Sequence, residues 1–477
     1  MTLFYSIITL VNIFAIALMI FRERKKPESI ISWLLLFSFF PIIGFLFYVL
    51  IGGGLSVKTK NMLKRKQLYN EKYTNYFVNN IEAPRKINQN ALSIINFNTQ
   101  NANAVPTYGN KVKVFTDGNK KIDSLTKDIL SAKHSVNLEY YIFGDDNAGQ
   151  KVMNALIQKA KEGVKVNLIF DSVGSMRSPR RFFKTLKQAG GKVKEFFPPL
   201  FNIRLINLKM NYRNHRKIAV IDGEIGYVGG INIRDDHCSG NPKVAPWCDA
   251  HIRVEGQAVY TLQNEFLNFW QFCNKENTET NKWVEAGYFP AITPKGETIM
   301  QTVSSGPDMK DYKIRDAMVK MINLAEKEII LQTPYFVPDE VFLTAIKTAI
   351  RSGVNFKLII PGKPDKKIVY AATQSFANEV LQAGGEVYLY QGFIHAKALV
   401  VDDFAMTIGS ANADNRSFAL NFEINAIMYD SYLVAEYKNI INLILDTSKQ
   451  LDKNYYKNKS AWTKFKQLFF RLFSPLF

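Results

Sequence analysis

The sequence predicts an α/β protein built from two pseudo-symmetric halves, preceded by an apolar helical segment. Three observations carry this. First, a helix–glycine–strand pattern occurs twice: "ALIQKAKEGVKVNLIF" (155–170) resembles "TAIKTAIRSGVNFKLII" (344–360), and "LKQAGGKVKEF" (186–196) resembles "VLQAGGEVYLY" (380–390). Second, "NHRKIAVIDG" (214–223) and "IHAKALVVDD" (394–403) carry His, Lys and Asp at one spacing, each downstream of the repeated pieces. Third, residues 3–21 and 30–52 are two uncharged apolar runs at the amino terminus.

Taken in order, residues 1–54 are expected to form a transmembrane helix pair, because each run approaches the roughly 20 residues that cross a hydrocarbon core. A signal peptide would carry basic residues before its apolar run; here "RERKK" follows it. Pro41 and Gly44 are candidates to kink the second helix. One basic cluster (Arg22, Arg24, Lys25, Lys26) and another (Lys58, Lys60, Lys64, Arg65, Lys66) pull orientation both ways, and the expectation adopted is a multi-pass cell-membrane protein with a cytoplasmic catalytic part. Residues 55–105, rich in Lys and Asn, read as a basic juxtamembrane linker. Residues 106–290 and 291–450 are the two halves, headed by "VNLEYYIF" (136–143) and "IILQTPYF" (329–336). Strands alternating with helices predict an α/β sandwich with largely parallel strands, and two such units would pair about a pseudo-twofold axis. Residues 451–477 read as an amphipathic tail: Trp462, Phe465, Leu468, Phe469, Leu472 and Phe473 fall at three- and four-residue steps with Lys464, Lys466 and Arg471 largely off that stripe, the pattern of an interfacial helix on anionic lipid or of one docked on the protein itself. "RSPRRFFKTLK" (177–187) is a second basic, aromatic stretch, open to the headgroup region or to solvent.

The chain of 477 residues is 47% hydrophobic, enough for sizeable cores, and carries a formal charge of +19. Such a balance favours polyanionic partners, either nucleic acid or an anionic lipid surface; the apolar amino terminus favours lipid. Three cysteines without a C-x-x-C pair exclude a disulfide framework or a zinc cluster, and no metal or other cofactor is expected.

The repeated frame carries the chemistry. Of only five histidines in the chain, two, His215 and His395, stand two residues before Lys217 and Lys397. In extended backbone, residues i and i+2 share a face, so each frame pairs a proton carrier with a fixed cation. Asp222 and Asp402 lie an odd number of residues further on, at turns, and are read as holding the turn. Beyond them come Gly229, Gly230 and Asn232 in one half and Gly409, Ser410 and Asn412 in the other, a set of close-approach glycines and neutral donors suited to phosphate oxygens.

H-x-K-x4-D followed by G-[GS]-x-N, present twice over about residues 106–430, resembles the phospholipase D superfamily. "TPYFVPD" (333–339), "SGPD" (305–308), "NRSFALNFE" (415–423) and "WCDAHIRVEG" (247–256), with Trp33, Pro41, Gly44 and Tyr48, are similar to its bacterial cardiolipin synthase branch. One departure is Gly230 where the second half has Ser410. The resemblance implies phospholipase D-like halves and a catalytic set of His215, Lys217, Asp222, His395, Lys397 and Asp402. It further implies transfer of a phosphatidyl group between two phosphatidylglycerol molecules through a phosphohistidine, giving cardiolipin and glycerol, with His215 as nucleophile and His395 as general acid/base. Each imidazole needs its second nitrogen held; Asp249, downstream of His215, and Glu423, downstream of His395, are the candidates. His251 is open between a structural and a substrate contact, and His134 and His237 are expected at the surface. Lipid hydrolysis, a membrane-tethered nuclease and a non-catalytic membrane scaffold are the competing readings, and oligomeric state is left open.

Overall fold

The computed structural model describes all residues except 1, 19–26, 49–51, 53–54, 57–58, 64–86, 200–210, 239, 241, 275–279 and 475–477. Its first half contains strands β1 (Thr107–Phe115), β2 (Ser135–Tyr140), β3 (Lys165–Asp171), β4 (Lys192–Phe196), β5 (Arg213–Asn214), β6 (Lys217–Ile221), β7 (Ile225–Gly229), β8 (Trp247–Cys248) and β9 (His251–Glu255). The second contains β10 (Thr298–Ser305), β11 (Glu328–Gln332), β12 (Asn355–Pro361), β13 (Glu386–Tyr390), β14 (Phe393–Ile394), β15 (Ala398–Val401), β16 (Ala405–Gly409), β17 (Asn421–Tyr429) and β18 (Ser448–Gln450).

The repeated segments fold as their pattern requires. Asp146 caps the helix Asn147–Lys161 by accepting from the Gly149 N–H, and Gly163 (φ 88°) ends it. In the second half Asp339 caps Glu340–Arg351 through the Phe342 N–H, and Gly353 (φ 93°) follows. Each helix then leads into a buried strand, β3 or β12, lying parallel to its predecessor. The sheet order is β18-β13-β12-β11-β15-β16-β17-β10-β1-β9-β7-β6-β2-β3-β4. Read outward from the β1–β10 seam, the two halves use equivalent strands in the same order, the expected pseudo-symmetry.

The expectation of largely parallel strands is corrected. Among the named strands, parallel pairing is confined to β2-β3-β4, β11-β12-β13 and two short cross-half contacts. The centre is antiparallel, because β6–β7 and β15–β16 are joined by tight turns at Asp222-Gly223 and Asp402-Asp403, which can connect only antiparallel neighbours. One core spans the seam, packing Ile218, Val228 and Ile252 against Ile394, Ile408 and Ile424, all fully buried. Each such side chain contributes about 1.5–3 kcal/mol of transfer free energy, so the shared core holds the halves together.

Three further boundaries change. The amino terminus forms helices Thr2–Leu18, Pro27–Phe39 and Pro41–Phe47, with Trp33, Phe37 and Tyr48 packed together. Among the described residues no helix is long and apolar enough to cross a membrane, so the expected pair of spanning helices is not found. The second run breaks at Phe40, whose φ of −139° is non-helical, since a residue before proline is pushed out of the helical region. Of the basic residues weighed for orientation only Lys60 lies within the described residues. The stretch expected as linker ends in a helix, Gln89–Ala102, whose Ala91, Ile94 and Ile95 enter the second half's core beside Ile314 and Met321. In the tail, Leu451 and Tyr456 join that same core, and the helix Ala461–Arg471 lies against the helix Lys367–Ala383, with Arg471 paired to Glu379. The aromatic residues of "RSPRRFFKTLK" are not exposed: Phe182, Phe183 and Leu186 are core residues of the first half.

Candidate active site

Both histidines sit where the chain leaves one half to touch the other. Arg213–Asn214 pairs in parallel with the start of β17, and the His215 N–H donates to the Phe422 carbonyl at 2.9 Å. Phe393–Ile394 pairs in parallel with β8, and the His395 N–H donates to the Cys248 carbonyl at 2.6 Å. His395 and Lys397 therefore lie in the short extended break before β15, and His215 in the break before β6, rather than inside a strand.

The carboxylates that hold the rings come from the opposite half in each case. His215 Nδ1 lies 2.9 and 3.0 Å from the two oxygens of Glu423, with the Ser410 carbonyl at 3.1 Å. His395 Nδ1 lies 2.6 Å from Asp249 Oδ2. A carboxylate at Nδ1 selects the tautomer with its proton there and leaves Nε2 with a free lone pair. Sequence position suggested both carboxylates but not this exchange, which only the cross-half strand pairs produce.

The lysines are buried beside the rings. Lys217 Nζ donates to the His215 carbonyl and stands 5.3 Å from the centre of the Tyr141 ring. Lys397 Nζ donates to the His395 carbonyl and lies 3.0 Å from His395 Nδ1. Burial lowers the Lys217 ammonium to about 7, against the pull of Glu423 and with a further push from Lys397. Burial lowers Lys397 to about 8, against Asp249 and Glu423. Burial, assisted by Lys217 and Lys397 and opposed by Glu423, lowers His215 to about 4. His395 is held well below its ordinary value by burial and Lys397, with Asp249 opposing. Burial alone would raise both carboxylates; His395, His237 and Lys397 hold Asp249 well below the usual range, and His215, Lys217 and Ser410 hold Glu423 low. Near neutral pH the imidazoles are therefore neutral and the carboxylates ionised, Lys397 carries its charge and Lys217 titrates, and Lys397 of one half acts on His215 and Lys217 of the other. With the exchanged carboxylates, that coupling brings the two frames together at the seam between the halves.

The remaining predicted residues divide by role. Asp222 accepts from the Lys133, His134 and Ser135 N–H groups, and Asp402 from those of Glu326, Lys327 and Glu328, all at 2.7–2.9 Å. Both adopt left-handed backbone (φ 53° and 48°), so they clamp the turn to the head of a neighbouring strand, in keeping with the turn-holding reading. Asn232 and Asn412 each spend a side-chain N–H inside the protein, on His237 Nε2 (3.0 Å) and Asp414 (2.9 Å). Ser410 Oγ donates to Glu423 at 2.5 Å. The Gly230 departure has a steric reason: a Cβ there would lie 2.1 Å from Asp249 Oδ1. The first half thus gives its carboxylate the space that the second half gives to a serine.

His251 is fully buried, and neither ring nitrogen has a hydrogen-bond partner among the described residues. His134 is exposed, as expected. His237 is not: it is 4% exposed and enters the site, a correction to its surface reading. Its neighbours in sequence are polar, and it becomes buried only because the 3-10 turn Asp235–His237 folds its ring under Trp247 and His395. Tyr141, edge-on to His215 at 4.8 Å between ring centres, and Trp247, 5.2 Å from His395, also line the rings without having been singled out in the sequence. Among the described residues His237, Asp249 and His395 bring three potential metal donors within 4.8 Å of one another. They are joined by hydrogen bonds, and Lys397 places a cation 3.0 Å from one of the donor nitrogens.

A family model described as "Cardiolipin synthase, PLD-like domain" matches residues 125–270 and 318–445, and one described as "Phospholipase_D-nuclease N-terminal" matches residues 10–53. The chain is 39% identical to "Cardiolipin synthase" of Listeria monocytogenes serotype 4a (strain HCC23), covering 98% of each chain. It is 40% identical to "Major cardiolipin synthase ClsA" of Bacillus subtilis (strain 168), covering 99% of this chain and 98% of that one. Its fold is similar to the crystal structure of phosphatidylserine synthase from Haemophilus influenzae Rd KW20, with a TM-score of 0.61 at 14% identity over 80% of this chain and 97% of the other.

Proposed function

The chain belongs to the cardiolipin synthase family with phospholipase D-like domains, and from that premise we propose how its site performs the reaction. The protein is a phosphatidyltransferase: it moves a phosphatidyl group from one phosphatidylglycerol to a hydroxyl of another, giving cardiolipin and glycerol through a phosphohistidine. His215 Nε2 attacks phosphorus as the bond to the glycerol oxygen breaks, and His395 delivers a proton to that oxygen. A hydroxyl of the second phosphatidylglycerol then gives its proton to His395 and attacks the same phosphorus, and the P–N bond to His215 breaks. Lys217 and Lys397 offset charge on the non-bridging oxygens. His395 must be protonated for the first step, although burial and Lys397 hold its proton affinity well below the ordinary value. A phosphodiester anion entering between the frames raises the proton affinity of every base around it, so substrate binding itself charges the general acid.

The observation that carries this reading is the exchange of carboxylates, Glu423 onto His215 and Asp249 onto His395. It fixes both rings relative to one another across the seam. The test is mass spectrometry of the lipids formed from phosphatidylglycerol alone by the purified protein. Cardiolipin with stoichiometric glycerol, lost in His215→Ala and His395→Ala, is expected; phosphatidic acid without cardiolipin would replace transfer with hydrolysis.

The substrate resides in a bilayer, and the apolar surface suits one. Trp462, Phe465, Leu468 and Leu472 are all more than half exposed on the tail helix, as are Leu10, Ile13, Phe14 and Ile43 at the amino terminus. Ser32 Oγ donates to the Leu472 carbonyl at 3.1 Å, tying the two segments together. With Lys464 and Lys466 beside the stripe, this surface fits the interface of an anionic phospholipid membrane. Phe465→Glu with Leu468→Glu should abolish flotation with phosphatidylglycerol vesicles; unchanged flotation would remove the tail from the membrane contact.

A further inference from the structure

We propose that His237 is a positioning residue that sets how firmly His395 is held, by sharing with it a single carboxylate oxygen of Asp249. This rests on the reading of His395 as the general acid/base. Asp249 Oδ2 lies 2.6 Å from His395 Nδ1 and 3.3 Å from His237 Nδ1, and Asp249 Oδ1 accepts from the Ala250 N–H at 2.7 Å. The tautomer of His237 follows from its other neighbour. Asn232 Oδ1 accepts from the Ile142 N–H at 3.1 Å, which turns the Asn232 Nδ2 donor onto His237 Nε2 at 3.0 Å. The Asn232 backbone N–H also reaches His237 Nδ1, but at 3.5 Å; the shorter donor is on Nε2 and the acceptor, Asp249 Oδ2, is on Nδ1, so the proton of neutral His237 sits on Nδ1, facing Asp249. The result is a directed chain: Asn232 donates to His237, and His237 and His395 both donate to Asp249.

The other half-site lacks this arrangement. Glu423, which holds His215, is itself held by the Ser410 hydroxyl at 2.5 Å and by Asn421 Nδ2 at 3.0 Å. A hydroxyl and an amide orient the partner of the nucleophile, while an imidazole orients the partner of the acid/base. The asymmetry begins at Gly230: a serine there would have to displace the Asp249 carboxylate, and the anchor arrives from the Asp235–His237 turn instead. Besides Asp249, the charged and titratable groups acting on His395 and His237 are Lys397 and, across the site, Lys217. The His237 hydrogen bond draws negative charge from the carboxylate. Its loss frees the ring of His395 to tilt and strengthens the pull of Asp249 on the His395 proton.

The experiment uses the full-length protein in phosphatidylglycerol mixed micelles. His237→Phe removes the donor. His237→Gln restores it, because a carboxamide offers an N–H to Asp249 and an oxygen to Asn232. For His237→Phe, kcat should fall by roughly tenfold to a hundredfold, the scale of a lost orienting partner, with KM little changed and the alkaline limb of the kcat profile, which reports the substrate complex, moved to higher pH. His237→Gln should recover most of kcat and the wild-type limb. A Phe variant with wild-type kcat and pH profile, or a Gln variant as impaired as Phe, would overturn the proposal. His395→Ala is assayed alongside. Full activity there would overturn the acid/base reading, whereas an inactive His395→Ala beside an unaffected His237→Phe would remove only the role of His237.

Discussion

Exchange of the orienting carboxylates predicts that each acts on the chemistry of the opposite half. Glu423→Gln replaces the charged acceptor that His215 Nδ1 meets at 2.9 Å, in a side chain that is fully buried. A hydrogen bond to a charged partner is worth about 1.5–3 kcal/mol, which corresponds to roughly tenfold to 150-fold in rate. Asp249→Asn removes a comparable bond, at 2.6 Å, from His395. The two losses are separable with an activated phosphodiester, phosphatidyl p-nitrophenol, whose leaving group departs without a proton. Rapid mixing would follow the first turnover as a burst of nitrophenolate. Asp249→Asn should keep a near-normal burst rate and lose steady-state turnover, because only the attack of the incoming alcohol still needs a base. Glu423→Gln should slow the burst itself by the factor above. Equal slowing of the burst in both variants, or a slowed burst in Asp249→Asn alone, would refute the crossed assignment of orienting groups.

Two other outcomes follow from the same geometry. Because His215 is lowered to about 4 and Lys217 to about 7, kcat/KM should rise as pH passes about 4, where the nucleophile becomes neutral. It should fall above about 7, where Lys217 loses the charge that receives the phosphate. Lys217→Arg should carry the falling limb to higher pH, since a guanidinium stays charged, and a limb unmoved in that variant would exclude Lys217 as its origin. Asp402→Asn keeps a residue that tolerates left-handed backbone but turns one acceptor into a donor facing a backbone N–H, at a cost of about 1–3 kcal/mol. Thermal unfolding should shift down by about 1–3 °C while the folded protein retains wild-type turnover; lost turnover at an unchanged Tm would make Asp402 a participant in the chemistry.

Much of the site could be read from the chain because its chemistry is local. His215 with Lys217, and His395 with Lys397, sit two residues apart and occur twice, so no tertiary information is needed to pair them. Asp249 and Glu423 were also legible as orienting groups. Which histidine each one holds was not, because that depends on β5 leaning on β17 and β14 on β8, contacts between segments far apart in sequence. His237 escaped for the same reason: a histidine among Asp235, Asp236 and Cys238 has the look of a surface turn until the opposite half covers it. The alternation of helix and strand announced an α/β fold, yet tight turns after the two frames made the centre of the sheet antiparallel. At the amino terminus hydropathy alone suggested two spanning helices, and Pro41 divided the second. In residues 55–105 a polar composition masked Ala91, Ile94, Ile95 and Asn98, whose helical spacing builds one wall of the second half.

The claim beneath all of this is that one phosphorus passes between two imidazoles in a single site. Alkaline quenching during turnover, followed by peptide mass spectrometry, tests it directly, since phosphoramidate bonds survive base. The account predicts at most one phosphatidyl or phosphoryl adduct per chain, on His215, accumulating in His395→Ala with the activated substrate. In the wild-type protein, adducts on both His215 and His395 of one molecule would mean two independent sites, and would contradict it.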